Sequence, residues 1–233
     1  MKKIINSVLF AAIFLMMQTA IAQPVDEIIN KHIAAMGGKE KMMSLKTVKM
    51  TANFIGGGGG VQFELIIIKK HQVGFRLEQS ANGLTGIAIV IPTKNWRFQK
   101  GQAATEGKDE DYFKATKNQL DLQGPFINYK EKGTKIELAR KETVDGNSCY
   151  NLKVVFKDGT DLNYLIDSKT YFIYKISYKT AYAYTLTNYK KNADGYWFPY
   201  TTKNIRGWVA NYQKIETNIA VDNKTFEVDE GVF

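Results

Sequence analysis

Short alternations of apolar and polar residues, separated by turn residues, fill the second half of the chain and constrain its fold more than any other feature. Leu162, Tyr164 and Ile166 alternate with polar residues, which is the period of a half-buried strand. The turn signals Asp158-Gly159 and Asp194-Gly195 belong to a series that recurs about every ten residues. This spacing predicts an antiparallel β meander, so we expect a mainly β protein of the α+β class.

The region after residue 45 also predicts strands. Residues 47–55 and 61–69 flank a run of consecutive glycines, Gly56–Gly60. Neither a Lys-Ser/Thr pair nor a helix pattern follows these glycines, so they predict a hairpin connection and not a phosphate-binding loop. Residues 86–91 form a continuous apolar run, which is typical of a strand that is covered on both faces.

Two helices are predicted outside the strands. Apolar residues form one stripe along 25–36, and a glycine pair follows as a stop signal. Residues 109–122 begin with three acidic residues, which the dipole of a helix favours at its start. The apolar members of this second helix are Phe113, Leu120 and Leu122. Such a weakly amphipathic helix would suit a mobile lid, because its docking must be reversible.

Residues 1–22 have the pattern of a secretory signal peptide. Lys2-Lys3 form a positive start, Val8–Met17 form an apolar stretch, and Ala20-Ile21-Ala22 form a cleavage site. Cleavage is expected before Gln23. Since no cysteine lies near this site, we expect a soluble periplasmic product without a lipid anchor.

The remaining residues, 23–233, are expected to form a single domain, because they are too few for two substantial ones. The formal net charge is +9. The basic residues are spread along the chain, so a solvated surface is the favoured interpretation, and attraction to anionic membranes remains the alternative. Export argues against nucleic acid as a partner. We expect a monomer.

The sequence shows no catalytic constellation, and we predict that the protein is not an enzyme and holds no metal or cofactor. The single cysteine, Cys149, opens a predicted strand, and a structural thiol is favoured over a nucleophile that would use His32 or His71. His32 is interpreted as a half-buried or surface residue of the first helix. The carboxylates of Asp109 and Glu110 are interpreted as helix-start charges, and a hydrolase that uses such groups remains an alternative.

Several segments occur in the order and spacing of one known superfamily. They are Ile28–Glu40, Lys46–Met50, Asn95-Trp96, Gly124–Gly133, Val144–Gly146, Tyr150–Val154 and Leu165–Thr170. In this order they resemble the outer-membrane lipoprotein-sorting proteins of the LolA/LolB-like superfamily, especially the divergent branch of Bacteroidota-type genomes. The resemblance covers residues 24–233.

The resemblance implies a curved antiparallel half-barrel with helices that cover its concave face and a cavity that holds acyl chains. The carrier of this superfamily receives a lipoprotein from an inner-membrane transporter and passes it to an outer-membrane receptor. Because the chain has no lipid-bearing cysteine, it resembles the soluble carrier more than the anchored receptor. The alternative is a non-catalytic binding or interaction module with the same fold and a different apolar ligand.

The residues allow such a function physically, because burial of each CH₂ group of an acyl chain contributes about 0.8 kcal/mol. The predicted trough consists of apolar residues from the early strands, although an ordinary core remains the alternative. These residues are Phe63, Leu65, Ile67, Phe75, Leu77, Ile87, Ile89, Ile91, Trp96 and Phe98. The superfamily's carrier locks its lid with an arginine. Arg76 is the candidate here, and an exposed strand arginine is the alternative.

Overall fold

The computed structural model describes residues 25–56, 60–179 and 182–228. The predicted signal peptide and the cleavage site before Gln23 lie outside these ranges. Within them, no helix is both long and apolar enough to span a bilayer.

The described residues form thirteen strands and three α-helices. The strands are β1 (Thr47–Ile55), β2 (Gln62–Lys70), β3 (Gly74–Ala81), β4 (Leu84–Val90), β5 (Asn95–Gln99), β6 (Thr105–Glu106), β7 (Lys135–Val144), β8 (Asn147–Val155), β9 (Asp161–Asp167), β10 (Ile173–Tyr178), β11 (Tyr182–Lys191), β12 (Trp197–Asn204) and β13 (Val209–Thr217). The helices are α1 (25–35), α2 (Lys39–Met43) and α3 (Glu110–Lys117), and 3₁₀ turns occur at Asn118–Leu120 and Asn223–Phe226.

All strands belong to one antiparallel sheet, in which most neighbours are also consecutive in sequence. The order is β6-β5-β4-β3-β2-β1-β13-β12-β11-β10-β9-β8-β7. The one departure from a simple meander is that β1 pairs with β13, which joins the beginning of the sheet to its end. Because β6 and β7 lie at opposite edges, the segment between them must cross a face of the sheet, and this segment contains α3.

The sheet is strongly curved. The ring of Tyr112 in α3 lies 4.0 Å from the guanidinium of Arg97 in β5 and 6.4 Å from the ring of Tyr182 in β11. In a flat sheet β5 and β11 would be about 34 Å apart, since neighbouring strands are separated by about 4.8 Å. The curvature therefore brings the two strands to the same helix. The predicted half-barrel is confirmed, and we call the face that carries α1 and α3 the concave face.

The predicted first helix is confirmed, and its apolar stripe packs on the concave face. Val25, Ile28 and Ile29 of α1 are buried against Leu152 and Ile166 of the later strands. This packing holds the helix in place, because isolated helices of eleven residues are only marginally stable in water.

The second helix is shorter than predicted. The α-helix ends at Lys117, and a 3₁₀ turn followed by extended backbone at Asp121 occupies the rest of 109–122. Asp109 is the N-cap, because its side chain accepts a hydrogen bond from the backbone N–H of Tyr112.

His32 is fully buried, in contrast to the surface or half-buried position predicted for it. Its Nδ1 lies 2.8 Å from the carbonyl oxygen of Tyr171, and its ring packs edge-on against Phe126. Burial lowers the pKa of His32 to about 4. The partner carbonyl lies 139 residues along the chain, so no local pattern could indicate this contact.

Candidate functional site

A group of aromatic residues lines one end of the concave face and is not fully covered. Pairing between strands places Phe54 opposite Phe63, and Tyr212 opposite Ala52, on this face. We define the aromatic mouth as Phe54, Phe63, Tyr184, Trp208 and Tyr212. These side chains are partly exposed, and Tyr184 retains 39% of its accessible surface. Large apolar surface that stays partly open to water is typical of ligand-binding surfaces.

The aromatic mouth has a compact centre. The rings of Phe54 and Trp208 stack with their centroids 5.1 Å apart, and Phe63 lies about 6 Å from both. Trp208 follows the β12–β13 turn, and its ring also contacts Gly56. A Cβ atom added to Gly56 would lie 3.4 Å from the indole ring. The hydroxyl of Tyr212 lies 3.4 Å from that of Thr202, and burial raises the pKa of Tyr212.

Beyond the mouth, the 3₁₀ turn and α3 cover the concave face. Phe113, Leu120 and Leu122, the three residues predicted for the underside of a lid, all pack against the cluster formed by β1–β4, β12 and β13. Leu120 is 3% exposed, whereas Phe113 and Leu122 are half-buried. The concave face is therefore closed at one end and partly open at the aromatic mouth.

Polar contacts hold the start of α3 against β10 and β11. The Asp109 carboxylate accepts a hydrogen bond of 2.6 Å from the hydroxyl of Tyr182. The Asp111 carboxylate receives Lys179 Nζ at 2.7 Å and the Tyr178 hydroxyl at 3.2 Å. These partners lower the pKa of both aspartates, and Asp109 in turn raises the pKa of Tyr182 to about 12. The contacts are largely solvent-exposed, so each contributes little to stability.

Polar contacts also hold the far end of the segment. Lys117 pairs with Asp158 on the β8–β9 turn. Lys69 Nζ donates to the side-chain oxygen of Gln119 at 2.9 Å. The helix therefore spans the concave face with a polar attachment at each end and apolar contacts between them, as a cover that can be displaced would require.

The predicted trough residues are divided between the two faces of the sheet. Five of them lie on the concave face, namely Phe63, Leu65, Ile67, Phe75 and Leu77. The other five lie on the opposite face, where they pack against the C-terminal segment around Phe226, and these are Ile87, Ile89, Ile91, Trp96 and Phe98. The structure therefore does not bring the ten residues together. A role of the concave five in ligand binding stays a prediction.

The pairing of β4 explains why the predicted trough residues lie on two different faces. Leu77 pairs with Ala88 and Phe75 pairs with Val90, so Ala88 and Val90 of β4 face the concave side. The larger isoleucines of β4 point to the other face. A continuous apolar run predicts that both faces are covered but does not indicate which residues share a face with Leu65.

Arg76 lies on the face opposite α3. Its Nε donates to Glu78 at 2.6 Å, and its Nη1 donates to the carbonyl oxygen of Thr225 at 3.2 Å. These contacts attach the C-terminal segment to the sheet. Arg97 contacts α3, because its guanidinium lies 4.0 Å from the centre of the Tyr112 ring, and the sequence pattern did not indicate this contact.

Cys149, the candidate nucleophile, lies apart from the aromatic mouth. Cys149 is fully buried on the opposite face, and burial with nearby Asp167 and Glu142 raises the pKa of its thiol to about 11. A thiol with such a pKa is protonated at neutral pH and is a poor nucleophile. Across the described part of the chain, no three His, Cys, Asp or Glu side chains are grouped so that they could hold a metal ion.

The sequence predictions missed most of the aromatic mouth. Phe63 was among the predicted trough residues, whereas Phe54, Tyr184, Trp208 and Tyr212 were not. These residues meet because β1 pairs with β13, at a separation of more than 150 residues. The only local signal was the concentration of aromatic residues in the last strands.

Comparison with known proteins supports the fold. No protein-family model matches the chain, and no curated protein matches it either. Among solved structures, a DUF1329 family protein from Desulfovibrio piger has a TM-score of 0.59 at 14% identity and covers 88% of this chain and 97% of its own. A LolA superfamily protein from Nitrosomonas europaea has a TM-score of 0.55 at 12% identity, with coverages of 87% and 97%.

A third similar structure is a domain from Vibrio parahaemolyticus, solved as a candidate outer membrane lipoprotein-sorting protein. It has a TM-score of 0.51 at 14% identity and covers 86% of this chain and 95% of its own. The class of protein that these likenesses and the open 13-stranded sheet define is the LolA-like fold. At such low identity the likeness establishes the fold and not the ligand.

Proposed function

We propose that the chain is an exported periplasmic carrier that binds acyl chains, of lipoproteins or of other lipids, on its concave face for transfer to the outer membrane. The observation that carries the proposal is the aromatic mouth, a partly exposed apolar surface that continues beneath a short helix. The likeness to LolA-superfamily and lipoprotein-sorting structures supports the same function, as does the signal-peptide pattern of residues 1–22.

The geometry suits reversible binding. An acyl chain on the aromatic mouth would gain about 0.8 kcal/mol for each buried CH₂ group, so binding needs no covalent chemistry. To reach the part of the concave face beneath α3, the acyl chain would have to displace this helix. Because a helix of eight residues is not stable on its own, its position depends on Phe113, Leu120 and the polar attachments at its ends.

Transfer requires partners that give and receive the cargo. We propose that an inner-membrane transporter loads the carrier and that an outer-membrane receptor unloads it. A receptor can unload the carrier only if it binds the acyl chains more tightly or favours displacement of α3, since a ligand shifts an equilibrium only by its differential affinity. We further propose that the carrier acts as a monomer.

A second candidate function is a binding module of the cell envelope for a smaller apolar ligand. The observation that favours it is the filled lower half of the concave face, where Leu65, Ile67 and Phe75 are 3%, 7% and 5% exposed. With α3 in place, the aromatic mouth is the partly exposed apolar surface that the described residues of the concave face offer. A small apolar ligand would fit there, whereas several long acyl chains would not.

The test is binding of a fluorescent acylated peptide to the mature protein and to two variants. Phe63→Glu places a charge on the concave face, whereas Gln62→Glu places the same charge on an exposed neighbour that faces the other way. We expect Phe63→Glu to weaken binding at least tenfold and Gln62→Glu to leave it unchanged, because a buried carboxylate opposes an acyl chain. Equal binding by both folded variants would contradict the proposal.

Native mass spectrometry of the protein from the periplasm of its own host identifies the cargo. A lipoprotein supports the sorting role, and a free lipid supports a lipid carrier. A clean mass for the apo protein, repeated after addition of acylated peptide, would leave the non-lipid binding module as the better proposal.

A further inference from the structure

Two arginines flank the aromatic mouth. Arg97 belongs to β5, where it pairs with Ala88 and faces the concave side. Arg206 lies in the β12–β13 turn, and the N–H of the preceding Ile205 donates to the carbonyl oxygen of Ala183, next to Tyr184. Both arginines are exposed. Arg97 thus lies on β5 and Arg206 lies in a turn beside β11, and the curvature of the sheet brings β5 and β11 to the same helix.

Both guanidinium charges act on the same phenol. Desolvation and the neighbouring Tyr112 raise the pKa of Tyr184, whereas the charges of Arg206 and Arg97 lower it. In sheet order, seven steps separate β5 from β11. Contacts place both arginines beside β11. Arg97 stacks at 4.0 Å on Tyr112, whose ring lies 6.4 Å from that of Tyr182. Arg206 follows Ile205, whose N–H donates to the carbonyl oxygen of Ala183.

Neither arginine has an acidic partner within 4 Å in the ranges that the structure describes. Arg76 and Arg140 differ, because they pair with Glu78 and Glu142. The two aspartates at the start of α3, beside Tyr182, are already engaged. Asp109 accepts from Tyr182 and the N–H of Tyr112, and Asp111 binds Lys179 and Tyr178.

The aromatic mouth and the two arginines offer different kinds of contact to a ligand. The rings of Phe54, Phe63 and Trp208 offer an apolar surface, and Arg97 and Arg206 offer guanidinium donors at its edge. Guanidinium groups present planar pairs of N–H donors that match phosphate oxygens, and such charge-assisted hydrogen bonds are stronger than neutral ones. An amphiphile with an anionic head and one apolar tail satisfies both surfaces at once.

We propose that the aromatic mouth selects amphiphiles with a phosphate-bearing head group, which Arg97 and Arg206 bind while the acyl chain lies on the rings. This inference rests on the proposed function, because it names the class of ligand for the same surface. The phosphate belongs to the amphiphile and not to a free anion, since the two arginines alone offer only exposed contacts. Electrostatic attraction between exposed groups is weak in water.

Titration calorimetry below the micelle concentration tests the proposal with three ligands that share a twelve-carbon chain. The ligands are dodecyl phosphate, dodecyl maltoside and dodecyl trimethylammonium. We expect the protein to bind the phosphate at least tenfold more tightly than the other two, and to bind inorganic phosphate alone far more weakly. Raising the NaCl concentration should reduce the preference, because the head-group contacts are exposed.

Variants locate the preference. Arg97→Gln and Arg206→Gln should each reduce affinity for dodecyl phosphate about three- to fivefold and leave dodecyl maltoside unaffected, since an exposed charge pair contributes up to about 1 kcal/mol. Arg140→Gln is the control, because it removes the same charge from an exposed site on β7. Arg97→Lys keeps the positive charge but removes the planar pair of N–H donors. It should retain only part of the preference for dodecyl phosphate.

The outcomes distinguish the inference from the function on which it rests. If none of the three amphiphiles binds, the proposed function is wrong. If all three bind equally, or if Arg140→Gln reduces the preference as much as Arg97→Gln, acyl binding stands and the head-group inference is overturned. If inorganic phosphate binds as tightly as dodecyl phosphate, the arginines form a free-anion site and the inference is also overturned.

Discussion

Replacement of Gly74 by alanine tests how the C-terminal segment is held against the sheet. Gly74 begins β3, and the ring of Phe226 lies directly over it. A Cβ atom at this position would lie 2.8 Å from Cβ of Phe226 and still closer to two ring carbons, which is far below van der Waals contact. Gly74 has no positive φ, so strain of the backbone is not involved. The cost of the substitution must therefore come from displacement of the ring.

The magnitude follows from what Phe226 buries. The ring is 4% exposed and packs with Ile87, Ile89 and Trp96. Full burial of a phenylalanine side chain contributes about 1.5–3 kcal/mol, and loss of packing adds to this. We therefore expect Gly74→Ala to lower the free energy of unfolding by about 2–4 kcal/mol. Phe226→Ala should cost a similar amount.

Urea unfolding of the two single variants and of the double variant measures the coupling. With Phe226 already truncated to alanine, Gly74→Ala should cost much less than it does alone, because the two ring carbons are gone and only Cβ of residue 226, at 2.8 Å, still has to shift. Additive costs would refute the reasoning. A cost near zero for Gly74→Ala alone would show that the segment does not cover this face, and that Ile87, Ile89 and Trp96 are available to a ligand after all.

Three further predictions concern titratable groups and α3. The folded state keeps His32 in its neutral form, because burial lowers its pKa from 6.5 to about 4. The free energy of unfolding should therefore be unaffected by His32 above about pH 6.5 and should fall by about 3 kcal/mol between pH 6.5 and pH 4. His32→Gln should remove this pH dependence. Asp109→Ala removes the N-cap of α3 and the Tyr182 contact, so amide exchange in Glu110–Lys117 should accelerate at least fivefold while exchange in α1 is unchanged. Cys149 should not react with iodoacetamide at pH 8 unless urea unfolds the protein, and fast labelling of the native state would contradict its burial.

The sheet could be predicted largely from the sequence because its strands are local patterns joined by short turns. Leu162, Tyr164 and Ile166 lie on the buried face of β9. The short turn at Asp158-Gly159 pairs β9 with the preceding strand, β8. The half-barrel followed from the resemblance and not from the periodicity. Neither source indicated that α3 would end at Lys117.

The site could be predicted only in part because it depends on contacts between distant segments. Phe63 and Leu77 were assigned to the correct face, since they alternate with polar residues. Ile89 was assigned to the wrong face. It lies in an apolar run, where no alternating polar residues show which side chains face the same way. The approach of Arg97 to Tyr112, and of both to Tyr182, arises from curvature of the whole sheet, which no short window of sequence contains.

The most direct test of the acyl-carrier account is photo-crosslinking of the mature protein with an acylated peptide that carries a diazirine along its chain. Peptide mapping then reports which residues the acyl chain touches. The account predicts labels on the aromatic mouth, at Phe54, Phe63, Trp208 or Tyr212, and on the underside of α3 at Phe113. Labels confined to the opposite face, around Ile89 and Trp96, would contradict it, as would labelling that excess unlabelled acyl peptide does not reduce.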